Sequence, residues 1–332
     1  MRKWVAITAA VLFCFMAARA DAATLRMNNN YVPKHPLTTQ VFKPWAEEVG
    51  KVTQGRVKVK VFDSSQLSSF PQSYENLRSG VMDIGLVCPT YQPGQLVFSG
   101  VFDLPMVAAG KAAKSSVVAW EMLHKSPEIQ KEFEEFEVLW VYLNPPYQIH
   151  MNKALVKTAD DLKNRVVSAG GAVPVKIAQL LGASPESMPM TEVFQALQKG
   201  VVEGCMLPYA PLRSQGIADY VKFHTDVNLM GNSFFVAANK RRWDRISKED
   251  QEAIRKISGR MMAEKTGQVF DDTQVIDVQW MQERGDEFYT VPDDERQKWR
   301  VAITPIHDDW VKRTKSDKAQ ALLDMVMKAM QE

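Results

Sequence analysis

The chain has 332 residues, 45% of them hydrophobic and 24% charged, with a formal net charge of +2. That length exceeds one comfortable core and suits two domains, and the composition is that of a globular protein rather than a disordered one. So small a positive balance gives no footing for nucleic acid or an anionic surface.

The first residues, "MRKWVAITAAVLFCFMAARADAA", place Arg2 and Lys3 before an apolar run from Trp4 to Ala18 and then Ala20-Asp21-Ala22. This is the pattern of a secretory signal peptide, with cleavage expected between Ala22 and Ala23. The run is shorter than the roughly 20 residues a spanning helix needs. Phe13 before Cys14 argues against a lipid-modified cysteine. Loss of Arg2, Lys3, Arg19 and Asp21 brings the 41 basic and 39 acidic residues to 38 of each, so the exported chain is neutral. Cys88 and Cys205 then remain, both in apolar strand-like runs, and are expected to be free thiols.

From Ala23 the pattern alternates. "TLRMNN" reads as a strand, and "HPLTTQVFKPWAEEVGKVTQG" as an amphipathic helix closed by Gly55. "RVKVKVF" alternates strictly and is a strand. "PQSYENLRSGV" is a helix and "DIGLVC" a buried strand, giving β-α-β-α-β, the sign of a mainly parallel sheet. "NPPY" (144–147) breaks the pattern as a crossover would. It then restarts: "NRVVSAGG" is a strand ending in glycines, "AVPVKIAQLLG" a helix, "ESMPM" a short extended piece, "TEVFQALQKGV" a helix capped by Thr191, and "EGCML" a strand. From about Ser247 the chain reads as helical, with Ser247 and Asp250 forming an N-terminal cap.

Two stretches nearly repeat: "ENLRSGVMDIGLVCPTY" (75–91) and "QALQKGVVEGCMLPY" (195–209). In each a glycine, Gly80 or Gly200, ends a helix, and an acid, Asp83 or Glu203, precedes a strand. Two related α/β lobes account for this, and ligands of such sheets bind beyond the carboxyl ends of the strands. No nucleophile elbow, His-Glu-x-x-His or phosphate-loop motif is present, and the five histidines are scattered. Neither catalysis, a metal site nor a cofactor is expected.

The segments "VFDSSQL", "LRSGVMDIG", "FDLPM", "TADDLKN", "LGASPESMPMTEVFQALQKGVVEG" and "FFVAANKRRWDRISKEDQEAI" together resemble the DctP-type solute-binding proteins of TRAP transporters. The resemblance covers almost all of the chain after the signal. It implies a periplasmic, non-enzymatic protein of two α/β lobes, each a mainly parallel sheet flanked by helices, with a ligand cleft between them and additional C-terminal helices. It implies a signal peptide over 1–22, lobe I over 23–146 with about 234–270 returning to it, and lobe II over 147–233 with about 271–305. Residues 306–332 then form helices packed across both lobes. The expected partners are a small-molecule solute and the TRAP membrane permease, with no nucleic acid, and the expected state is a monomer.

The family holds an organic acid on one arginine of the second lobe, and here the chain departs from the pattern. Reading "DLKNRVVSAGG" without gaps puts Ser168 at that position. Arg165 is three residues earlier and, in a strand, on the opposite face. Tyr147 stands at a second position that is basic in some acid-binding members, Met190 at an aromatic one, and Leu207 where Asn is frequent. The matching first-lobe positions are Asn30, Tyr31, Phe70 and Tyr91, and Asn232 lies in the returning segment. A carboxylate enclosed without a cation costs several kcal/mol, whereas Tyr31, Tyr91, Tyr147 and Tyr209 offer aromatic faces to an amine, each contact contributing about 0.5–2 kcal/mol. A neutral, aromatic or amine solute is therefore expected. The alternatives are an organic acid clamped by Arg165 or another cation, a sensory protein that presents its ligand to a receptor, and an exported enzyme.

Overall fold

The computed structural model describes residues 22–332 except Pro189. The signal segment and its cleavage point therefore lie largely outside the described residues, as does the expected Thr191 cap. Among the described residues no helix is long and apolar enough to cross a membrane.

The first sheet grows as the alternation predicts. Strand β1 (Ala23–Asn28) buries Leu25 and Met27. A π-helical turn, Thr38–Phe42, then leads into helix α1 (Lys43–Val52), which buries Trp45, Ala46 and Val49 on one face. Strand β2 (Val57–Phe62) lies parallel to β1 at the sheet edge, and its exposed Lys58 and Lys60 discourage further strand pairing. Helix α2 (Ser73–Ser79) stops at Gly80, whose φ of 86° is cheap only for glycine. Strand β3 (Ile84–Val87) is buried on both faces and lies parallel to β1. Helices α3 (Ala112–Lys125) and α4 (Pro127–Glu132) precede strand β4 (Phe136–Leu143).

The chain crosses at 144–147 into a second unit. Its elements are β5 (Gln148–Met151), β6 (Val166–Ser168), α5 (Ala172–Leu180), β7 (Ser184–Glu186), α6 (Met190–Gln198), β8 (Gly204–Leu207), α7 (Tyr209–Ser214) and β9 (Phe223–Asp226). It then returns as β10 (Ser233–Asn239), inserted antiparallel between β3 and β4. The sheets run β2-β1-β3-β10-β4 and β11-β9-β5-β8-β6-β7, where β11 is Glu287–Thr290. Both are mixed. The parallel cores β2-β1-β3 and β7-β6-β8 match the expectation, and the strands entering from the opposite lobe, β10 and β5, add the antiparallel pairings. β11 also interrupts the helical stretch expected after Ser247.

The repeat has a structural cause. Asp83 donates its backbone N–H to the Arg26 carbonyl at 2.9 Å, and its carboxylate accepts the Arg26 backbone N–H at 2.8 Å and Nε at 3.1 Å. Glu203 donates its backbone N–H to the Val166 carbonyl at 2.7 Å, and its carboxylate accepts Arg165 Nη1 at 3.0 Å. In each lobe the acid pins the start of one parallel strand to its neighbour.

Helices α8 (Lys240–Trp243) and α9 (Lys248–Lys256) follow β10, and Ser247 caps α9 by accepting the Asp250 N–H. The 25-residue helix α10 (Gly259–Glu283) spans both lobes. Its Phe270 packs on Tyr31 and Tyr142 of the first lobe, and its Asp277 pairs with Arg213 of α7 in the second. Helices α11 (Asp293–Ile303), α12 (Pro305–Thr314) and α13 (Ala319–Gln331) finish the chain. Trp310 donates to the Val97 carbonyl at 2.8 Å, tying α12 to the first lobe.

Candidate functional site

The carboxyl end of β1 and the loop after β2 are knit together by asparagines. Asn28 Oδ1 accepts the N–H groups of Leu67 and Ser68 at 3.0 and 3.1 Å. Asn30 spends its amide donors on Ser65 Oγ and the Ser68 carbonyl at 3.0 and 2.9 Å, so it shapes the loop. An aromatic wall stands beyond it. Phe70 stacks on Tyr91 with centroids 5.8 Å apart and planes 8° apart, and meets the Phe234 ring at 5.4 Å. The Tyr31 ring lies 6.4 Å from Phe70, edge-on, and its hydroxyl is 3.2 Å from that of Tyr142. Tyr91 keeps 36% of its surface exposed, the most open of these rings.

His35 belongs to this wall, although nothing in its sequence surroundings marks it. Its ring stacks on Tyr31 at 4.3 Å, and burial lowers its pKa to about 4, so it is neutral.

Below the wall is a polar floor. Asp103, 2% exposed, accepts the N–H and Oγ1 of Thr90 at 3.0 and 2.6 Å on one oxygen. Its other oxygen accepts the N–H and Oγ of Ser233, each at 2.6 Å. Burial nevertheless raises this carboxyl to about 6. Asn232 spans the gap between Thr90 Oγ1 at 3.1 Å and the Tyr147 hydroxyl at 3.0 Å. Tyr147 itself is 8% exposed and sits in the crossover, its N–H donated to the Met230 carbonyl at 2.7 Å. No motif marks Asp103 in the sequence; its only signal is an acid inside the apolar run "FDLPM".

In the second lobe, Ser168 and Leu207 end the neighbouring strands β6 and β8 and are 1% and 6% exposed. After Ser168 the chain turns through Gly171, with φ of 95°, into α5. A Cβ on Gly171 would lie 3.0 Å from Thr90 Cγ2, so the lobes meet at this point. Met190 opens α6 and is 43% exposed. Tyr209 turns instead into the lobe's interior: it is 1% exposed, donates to Asp226 at 2.5 Å, and packs against the His150 ring at 5.0 Å. Its face is spent on the core rather than offered to a solute.

Arg165 lies at the amino end of β6, bound to Glu203. Three residues at about 3.3 Å each put it about 10 Å along the strand from Ser168. Thus Tyr31, Phe70 and Tyr91 come together, as do Tyr147 and Asn232, with Ser168 and Leu207 on the facing lobe. Cys88 and Cys205 are both buried free thiols.

Residues 27–314 match the model of the bacterial extracellular solute-binding proteins, family 7 (DctP). The chain belongs to this family. It is a TRAP-type DctP solute-binding protein, and members are extracytoplasmic, bind small organic solutes and work with TRAP permeases. It is 30% identical over 305 residues to the outer membrane transporter protein TsaT of Comamonas testosteroni, covering 91% of this chain and 89% of that one. A TRAP solute-binding protein from Desulfovibrio salexigens is 29% identical with a TM-score of 0.83, covering 93% and 95% of the two chains. In that structure the C-terminus of a symmetry mate occupies the ligand-binding site. A Rhodoferax ferrireducens protein holding copurified benzoate has a TM-score of 0.84 at 24% identity, covering 93% and 98%; at that identity the likeness speaks to the fold. A DctP protein works by closure: contacts from both lobes act on one solute, so the closed state is populated when the solute is bound.

Proposed function

We propose that the cleft closes on a solute with an aromatic body and a neutral or amine head group, for delivery to the permease. The observation that supports this reading is the charge of the cleft floor. It contains the buried carboxyl of Asp103 bonded to Thr90, from which the contacts lead on to Asn232 and Tyr147, while Arg165 is held by Glu203 at the far end of the Ser168 strand. Closing a carboxylate onto such a floor adds one anion to another without a guanidinium to offset desolvation. Tyr91 stacked on Phe70 supplies an open aromatic face. A second reading is an aromatic acid held on the backbone amides at the start of α5. It draws on the contact of Gly171 with Thr90 and on the aromatic acid in a fold neighbour.

A melting screen that pairs each aromatic amine with its acid separates the two. A solute at 1,000 times its dissociation constant stabilises the protein by about 4 kcal/mol. Amines are expected to raise the melting temperature and acids not. Ser168→Arg is expected to shift relative affinity toward the acids by tenfold or more, the effect of about one charge-assisted hydrogen bond. Acids that outrank amines in the native protein, or a Ser168→Arg profile equal to the native one, would sink the reading.

A further inference from the structure

We infer that Asp103 is a positioning residue that fixes the direction of the Thr90–Asn232–Tyr147 hydrogen-bond chain, so that Tyr147 meets the solute as an acceptor. The cleft then selects solutes that carry an N–H or O–H donor at that point. The inference rests on the cleft reading above, and its test includes a readout that needs no solute.

The number of protons along the chain sets its direction. An ionised carboxylate only accepts, and a threonine hydroxyl has one hydrogen to give. Thr90 Oγ1 lies 2.6 Å from Asp103 and 3.1 Å from Asn232, so it cannot donate to both. The shorter, charge-assisted contact takes the proton. The contact to Asn232 must then be donated by the amide nitrogen. Half a rotation of the amide keeps both of its contacts and exchanges donor for acceptor. Asn232 is placed with Oδ1 toward Thr90 and Nδ2 toward Tyr147 at 3.0 Å; turned by half a rotation so that nitrogen faces Thr90, the amide directs its oxygen at Tyr147, and the Tyr147 hydroxyl must donate to it. That leaves Tyr147 only lone pairs. Backbone bonds hold the parts in place: Asn232 donates its N–H to Asn144 Oδ1 at 2.7 Å, and Ser233 fills the far oxygen of Asp103. At pH 8 Asp103 is ionised, and the titratable groups it feels, Cys88, Tyr91 and Tyr147, are all pushed upward by burial and neutral.

A neutral amide at position 103 no longer fixes the direction of the chain, because each of its ends meets a backbone N–H, that of Thr90 or that of Ser233. In Asp103→Asn, where the carboxamide nitrogen lies on the Thr90 side, it donates to Thr90 Oγ1, Thr90 donates to the Asn232 oxygen, the Asn232 nitrogen donates to Tyr147, and Tyr147 has a proton to offer. The first measurement is the nuclear Overhauser pattern of the Asn232 side-chain amide at pH 8 without solute. Contact with the Thr90 methyl alone is expected in the native protein, and contact with the Tyr147 ring as well in Asp103→Asn. The second is affinity for benzylamine and benzoate: their ratio should move at least tenfold toward benzoate in Asp103→Asn, and Tyr147→Phe should erase that movement. Should Asp103→Asn not fold, Thr90→Val leaves Asp103 its Ser233 donors while cutting the chain, and should also weaken the preference for the amine.

An Asn232 amide turned to Tyr147 in the native protein at pH 8 would overturn the inference. So would a benzylamine-to-benzoate ratio in Thr90→Val equal to the native one. If neither probe binds, the aromatic-solute reading fails for them, while the amide orientation still decides the direction of the chain.

Discussion

Gly267→Ala is expected to destabilise the protein by about 3 kcal/mol, at the upper end of the usual cost of overpacking. Gly267 is where α10 crosses α3. A Cβ there would overlap Ala113 Cα and come within 2.5 Å of the backbone carbon and oxygen of Ala112. These are main-chain atoms of a helix, so no rotamer change relieves the contact and one helix must move away. Movement has a second cost. One turn along α10, Asp271 accepts the N–H groups of Ala112 and Ala113 at 2.8 and 3.0 Å, capping α3 from a neighbouring element. A shift that accommodates the methyl group stretches both bonds, each contributing roughly 1 kcal/mol. Gly50→Ala is the control: it lies within α1 and its Cβ would meet nothing within 4 Å. It should stabilise by up to about 1 kcal/mol through helix propensity. Urea unfolding of the two variants beside the native protein checks both signs, and a Gly267→Ala midpoint at the native value would refute the close crossing. Because α10 spans both lobes, solute-induced closure should weaken in Gly267→Ala as well.

The sequence makes the parallel half of each lobe legible, because a buried or alternating strand between two helices leaves a periodic signature. "RVKVKVF" and "DIGLVC" show this most clearly. It does not make the exchanged strands legible. "QIHM" and "SFFVAAN" are short, wholly buried runs without alternation, and their partners, Leu207 through Gly204 and Leu143 through Phe136, are set by tertiary contact. The repeat could be read, but its reason could not: the acid is in the pattern, whereas Arg26 and Arg165 are chosen by register across the sheet. The same limit governs the site. Tyr91 and Phe70 can be picked out only through the family resemblance, while Asp103 acquires its place only when Thr90, in the turn after β3, and Ser233, at the start of β10, close on it. Tyr209 follows β8 just as Tyr91 follows β3, yet it turns inward because Asp226 offers its hydroxyl a buried partner.

Asp83→Asn should cost about 3 kcal/mol at neutral pH, and Glu203→Gln, the same change in the matching place of the other lobe, about 1 kcal/mol or less. The difference comes from burial and partner count. Asp83's side chain is fully buried and bound by Nε of both Arg26 and Arg242, at 3.1 and 3.0 Å. Glu203 is 27% exposed and has Arg165 as its one ion-pair partner among the described residues, so water reaches the carboxylate and screens that pair. The asparagine in Asp83→Asn keeps the shape but leaves both guanidinium groups without their carboxylate, and its amide nitrogen confronts donors from both arginines. Burial alone would raise the Asp83 carboxyl. The Arg26 side-chain and backbone hydrogen bonds and the charge of Arg242 outweigh it, and the net shift is downward. A carboxyl lowered in the folded state contributes stability that is present above its unfolded value, about 3.9, and is lost as pH falls through its folded value. The stability gap between native protein and Asp83→Asn should therefore be constant from neutral pH down to about 5 and close progressively below about 4. Chemical denaturation of both proteins across that range measures it. A gap that stayed open at the acid end would mean that the cost comes from the amide nitrogen facing the two arginines rather than from loss of the charge. A Glu203→Gln cost equal to that of Asp83→Asn would mean that burial is not what separates the two halves of the repeat.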